Sequence, residues 1–177
     1  MHKKILYGLM LLLSLGVAAY ATIAYAAFPL GSLVHPEMKT NFENHRIAVY
    51  LHIFASSLAL VIGPFQFSKR LRANRPQIHR LLGKAYLGLG VLLGGLAGLL
   101  MAAFAYGGIS SNLGFGALAI LWLYTGARAY WAIRHGDIAS HLTQAEILHQ
   151  ARTQLAQCVF LILPIHRRAG IDDMAER

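Results

Sequence analysis

The chain has 177 residues, 56% of them apolar and only 13% charged, about half the charge of an ordinary soluble domain, so a water-exposed globular surface is excluded. The net charge of +9 does not indicate a nucleic-acid partner, because the cations gather in one loop between apolar runs, where they act as topology determinants. The single cysteine, Cys158, excludes an internal disulfide and any multi-cysteine metal site.

The first apolar run, Ile5 to Phe28, carries no charge and predicts a membrane-spanning helix. Its basic start (His2, Lys3, Lys4) and the triplet Ala19-Tyr20-Ala21 also resemble a cleavable signal peptide. The run continues past that triplet to Phe28, longer than the usual apolar core of such a peptide, which favours retention as a helix. The second run, Ile47 to Phe67, holds His52 but no charged residue. Pro64 removes a helical hydrogen bond near its end, so a kink or a stop is expected there. Gln66 then stands ready to bond freed backbone groups.

A basic loop follows from Ser68 to Arg80, with Lys69, Arg70, Arg72, Arg75 and Arg80. The third run, Leu81 to Tyr106, opens with Lys84 and is rich in glycine. Gly90, Gly94 and Gly98 recur every four residues and form a smooth row that admits a close neighbour. That neighbour is a helix of the bundle, a second copy, a membrane partner, or a flat ligand such as a quinone or porphyrin. The fourth run, Ile109 to Ile133, carries Arg128 near its end, and Gly136 predicts a helix stop. No run contains Asp or Glu, which speaks against proton-coupled transport.

Beyond this, Ser140 to Gln157 is polar and helix-compatible. Leu155 to Ile165 is apolar but too short to span, and predicts an interfacial helix on the cytoplasmic face or a partial fifth span. Ile171 to Arg177 is expected to be disordered. The lysine and arginine asymmetry of the loops places both termini in the cytoplasm of a bacterial inner membrane. The expected fold is an all-α transmembrane bundle of four spans, 5–28, 47–67, 81–106 and 109–133. These form one domain over residues 1–141, with a cytoplasmic tail over 142–177.

Nine histidines invite a haem or metal site, which needs two of them at one depth on different helices. His35, His45 and His52 fall on the outer side; His45 and His52 share a face but lie about 10 Å apart along it. His79, His135, His141 and His149 fall on the inner side, where His79 could meet His135 or His141. Asp137 with His141, and Glu146 with His149, share helix faces, yet a di-iron centre needs two such pairs. His52 is an ionisable group inside a span and a functional candidate for that reason, though a neutral ring bonded to Ser56 or to a neighbouring helix accounts for it as well. No nucleophile elbow, phosphate loop, dinucleotide fingerprint or metalloprotease motif occurs.

Several of these residues fall in a recognisable order: His52-Ile53, Gly63-Pro64-Phe65-Gln66-Phe67, Leu71-Arg72, Arg75-Pro76, His79-Arg80, Gly83-Lys84-Ala85-Tyr86, Gly107-Gly108, Gly114-Phe115, Trp122 and Ala139 to His141. From Arg46 to His141 the chain resembles the bacterial multi-pass membrane family known as domain of unknown function 2306. After His141 the pattern departs, with Leu142 to Glu146 where a tryptophan-methionine-arginine motif is expected. The resemblance implies a helical membrane protein without an established activity, and singles out His52, His79 and His141 as the candidate cofactor-binding residues. Three functions follow as expectations: a non-enzymatic or uncharacterised four-helix protein, a haem- or quinone-binding redox protein, and a small transporter or assembly partner.

Overall fold

The structure is a computed structural model and describes residues 2–137 and position 147. The expected interfacial helix at Leu155–Ile165 and the residues His141 and His149 lie outside the described residues.

Four long helical passages succeed one another, with short helices between them. α1 runs His2–Ala27. α2 (Pro36–Asn44) precedes α3 (Arg46–Gln66). α4 (Lys69–Asn74) and α5 (Pro76–Ala85) follow, and α5 continues through a π-helical segment, Tyr86–Leu93, into α6 (Gly94–Ala102). α7 runs Ile109–Arg134. Among the described residues there is no strand.

Side-chain contacts fix an up-and-down order. The Tyr7 hydroxyl near the start of α1 donates to the carbonyl of Pro64 near the end of α3, at 3.1 Å. Gly90, Gly94 and Gly98 face Ala59, Ala55 and His52 of α3 in reverse order, so the third passage runs antiparallel to the second. Gly95 lies against Leu123, and Gly126 against Val91, which makes α7 antiparallel to α6. The bundle therefore has two distinct ends. One gathers α2 and the α6–α7 connection; the other gathers the basic stretch 69–84.

Three passages, Ile5–Ala27, Arg46–Gln66 and Pro76–Ala102, are long and apolar enough to cross a bilayer. The fourth expected span forms a single 26-residue helix, α7, with the anticipated bounds, but it is not among those three. Ser110, Ser111, Asn112, Gly114, Gly116, Thr125 and Arg128 dilute its apolar content. The outer faces carry large exposed side chains, with Leu12 at 68%, Ile47 at 72%, Leu100 at 62% and Leu113 at 69%. Such surfaces are intolerable in water and ordinary against lipid.

The glycine row is filled from within the chain. A Cβ added at Gly90 would lie 2.5 Å from Ala59 Cβ, and one at Gly94 would lie 3.3 Å from Ala55 Cβ. Gly90 and Gly94 are buried. The close approach that small residues permit is thus spent on α3, and an oligomer or membrane partner would have to use another face.

The third passage starts at Pro76, five residues earlier than expected, and ends at Ala102, four residues earlier. Ser68 caps α4, its Oγ accepting from the Leu71 N–H at 3.2 Å, and Pro76 opens α5 where a missing N–H costs nothing. Pro64 stops α3 as anticipated: the helix persists only to Gln66, and the N–H groups of Phe67 and Ser68 fall back to the carbonyls of Pro64 and Phe65. Gln66 does not take up that role with its amide nitrogen. Its Nε2 is buried without a hydrogen-bond partner, and its Oε1 lies beside Gly83. Gly136 ends α7 with φ +73°, the left-handed conformation that a helix stop favours in glycine.

The π segment explains how two bulky residues reach one core. Tyr86 and Val91 join Ala59, Ile62 and Trp122 in the buried cluster. In an α-helix residues five apart point about 140° away from each other. The wider i→i+5 turn brings them onto one side.

Candidate functional site

A cavity of about 390 Å³ lies between α1, α3, α6 and α7, toward the end that carries α2. Its volume is within the range of small-molecule sites. Apolar and aromatic side chains dominate the lining, among them Val17, Phe42, Met101, Phe115 and Trp122. Among the described residues, no Asp, Glu, Lys or Arg lines it. The polar lining consists of Tyr20 and Tyr25 from α1, His52, Ser56 and Ser57 from α3, and Tyr106 from the α6–α7 connection.

His52 is the group with the most developed support. Its Nδ1 lies 2.8 Å from the carbonyl oxygen of Gly94. A carbonyl only accepts, so Nδ1 carries the proton, and the basic lone pair of the neutral ring is on Nε2. Gly98 makes room for the ring: a Cβ there would lie 2.8 Å from both Cε1 and Nδ1 of His52. The expected bond of a neutral His52 to a neighbouring helix is therefore present, directed at backbone and not at Ser56. Ser56 stands one turn further along α3. Its Oγ is buried, has no hydrogen-bond partner, and would lie 3.4 Å from a Cβ at Gly94. A buried hydroxyl in that state carries a desolvation cost of about 1–3 kcal/mol, which a polar ligand atom would relieve after rotation of χ1.

Two aromatic stacks close the α2 end. His45, between α2 and α3, stacks on Phe104 with ring centroids 3.6 Å apart; its Nδ1 also donates to the Asn41 carbonyl at 3.0 Å. His35, at the start of α2, stacks on Tyr106 at 5.2 Å. Glu37, in the first turn of α2, accepts a hydrogen bond from the Tyr106 hydroxyl, which holds the phenol above its ordinary pKa because the carboxylate favours the neutral form. Phe104 and Tyr106 both line the cavity, so these contacts tie the α6–α7 connection down over its mouth. Glu37→Gln should lower the Tyr106 titration toward that of a free phenol, read as phenolate absorbance in an alkaline titration. An unchanged midpoint would mean that Glu37 does not hold the hydroxyl.

The candidate histidines are not brought together. His52 borders the cavity, level with Gly98, whereas His79 sits in the first turn of α5, roughly 25 Å or more away along the third passage. His141 lies outside the described residues. The His135 ring lies tilted against Trp131, with ring centroids 4.1 Å apart, and its Nδ1 donates to the Trp131 carbonyl at 2.9 Å, both at the end of α7. No group of three or more His, Cys, Asp or Glu is close enough to hold a metal ion among the described residues. Sequence reasoning passed over Trp122, as a cavity wall, and the contribution of α1; neither has a local signal, since both depend on how the passages pair.

A family model described as "Predicted membrane protein (DUF2306)" matches residues 49–174. The match covers α3 to α7 and continues through the tail, so the departure expected after His141 does not end the resemblance. It leaves α1 and α2 outside. No curated protein and no solved structure matches.

Proposed function

The chain belongs to the DUF2306 family of predicted membrane proteins, and from that premise we propose that it binds a neutral, lipid-soluble molecule of the quinone class inside its helical bundle. The observation that carries this is a 390 Å³ apolar cavity with His52 and Ser56 on one wall and no charged residue in its lining among the described residues. A neutral ligand loses nothing there, whereas an ion would be desolvated without a counter-charge. Neutral His52, its proton on Nδ1, makes this wall polar without adding charge, and a rotated Ser56 hydroxyl offers a donor, suited to a quinone carbonyl. A porphyrin is supported less well at this cavity, because its two propionates would meet no cation in the lining.

The protein is placed in a bacterial cytoplasmic membrane with α7 as a fourth span and with the basic end, and hence both termini, on the cytoplasmic side. The support is the concentration of Lys and Arg between α3 and α6 and their absence from the α6–α7 connection. Reporter fusions at Gly108 and at the C-terminus should report periplasm and cytoplasm respectively; the reverse pattern would overturn the topology.

Binding is tested by tryptophan fluorescence in detergent. A short-chain benzoquinone analogue should quench Trp122, which lines the cavity, and quenching should survive Trp131→Phe but not Trp122→Phe. No saturable quenching, or quenching that follows Trp131, would overturn the proposal. An absorption spectrum of the same preparation decides the haem alternative: a Soret band lost on replacing His79 or His141 with Ala would put haem at the basic end.

A further inference from the structure

From α4 to the end of α7, the up-and-down order sends eight cations to one end of the bundle: Lys69, Arg70, Arg72, Arg75, Arg80, Lys84, Arg128 and Arg134. The only carboxylate at that end among the described residues is Asp137. None of the eight forms an ion pair with a described residue; Lys39 and Glu43, 3.9 Å apart, belong to the opposite end, where charges balance. Except for the half-buried Arg72, all eight are exposed.

Their depth follows from the helices. Lys69 to Arg75 occupy α4 and its cap, immediately beyond the end of the passage that stops at Gln66. Arg80 and Lys84 lie one and two turns inside the passage that starts at Pro76, at a depth from which long cationic side chains reach back to the interface. Ile78 and Leu81, exposed at 42% and 68%, stand beside Arg80. Apolar side chains and cations thus alternate at the level where acyl chains give way to headgroups.

We propose that this end is a binding surface for anionic phospholipid headgroups, with Arg70, Arg72 and Arg75 on α4 and its cap as the principal phosphate contacts. A topology signal requires only positive charge. A guanidinium also offers a two-pronged donor fork that matches phosphate oxygens. Four of the six cations between Lys69 and Lys84 are arginine. Each cation near the surface strengthens attraction to anionic lipid by about fivefold.

The test uses the full chain in neutral detergent, with lipid uptake measured by native mass spectrometry against phosphatidylglycerol and phosphatidylcholine. Phosphatidylglycerol should be retained preferentially, and the preference should fall on the order of 100-fold in R70Q/R72Q/R75Q, following the fivefold step for each charge. It should persist in K39Q/R46Q, which removes cations from the opposite end. Should the triple variant fail to fold, a thermal-shift titration of the unaltered protein serves instead: stabilisation by phosphatidylglycerol should disappear in 1 M salt, where screening acts within about 3 Å. Equal uptake of the two lipids, equal loss in K39Q/R46Q, salt-independent stabilisation, or full competition by millimolar inorganic phosphate would each overturn the proposal. The last of these would reveal a free-phosphate site instead.

Discussion

Gly90→Ala is expected to lower the melting temperature in detergent by about 5 °C, while Gly88→Ala, two residues away in the same π segment, leaves it unchanged or raises it. The two changes add the same methyl group and relieve the same backbone freedom. They differ in surroundings. At Gly90 the new carbon would lie 2.5 Å from Ala59 Cβ and 3.3 Å from its Cα, atoms that move only if α3 moves. At Gly88 nothing lies within 4 Å. Forcing two helices apart in a packed interior costs about 1–3 kcal/mol. Equal melting temperatures for the two variants would mean that the third passage does not rest on α3 as described. That result would also remove the basis of the cavity, whose walls are spaced by the same contact.

Gly98→Ala should act differently, with a small effect on stability and a large one on ligand binding. A Cβ at this position would lie 2.8 Å from the His52 ring, and a ring can swing where a backbone cannot. Swinging breaks the 2.8 Å bond to the Gly94 carbonyl, worth about 1 kcal/mol net, and drives the imidazole into the cavity. The affinity for a quinone analogue should fall by about tenfold or more, since both space and hydrogen-bond geometry are lost. Gly114→Ala, with open space at its Cβ, is the matched control. Fluorescence titration of the two variants decides the matter. Binding that is unchanged in Gly98→Ala would show that the ligand does not depend on His52.

The long helices were legible because lipid imposes a length and a composition that a linear sequence displays directly. Ile109 to Ile133 illustrates both the strength and the limit of that signal: its helix formed with nearly the expected bounds, yet serine, asparagine and glycine leave it short of a clear span. The short helices were harder to read. α2 has a proline at its first position, but its cap is His35 and its apolar face is only Met38 and Phe42, too short a stripe to stand out. α4 was hidden in a charge run, although Ser68 is an ordinary capping residue. His52 stood out as an ionisable group within an apolar run, and Gly98 as part of a row; that the two touch required the antiparallel register. The stacks of His35 on Tyr106 and of His45 on Phe104 join residues 71 and 59 positions apart, and no local pattern announces such a pairing. The π segment was invisible for a related reason. Its buried Tyr86 and Val91 fit neither the 3.6-residue nor the two-residue period.

That π segment also gives the third passage the character of a phase adjuster. Each residue added to or taken from an α-helix turns everything beyond it by about 100°. The eight residues from Tyr86 to Leu93 absorb such a turn between two faces with separate duties. Below them, Gly83 lies against Gln66; above them, Gly94 and Gly98 lie against Ala55 and His52. Imposing α-helical geometry on all eight residues, with none removed, would withdraw that adjustment. The two halves would then be aimed at different neighbours, and either the basic end or the cavity would lose its partner helix. Substitutions on the lipid-facing side of this stretch can vary freely in kind, but its length is fixed by the need to serve both ends at once.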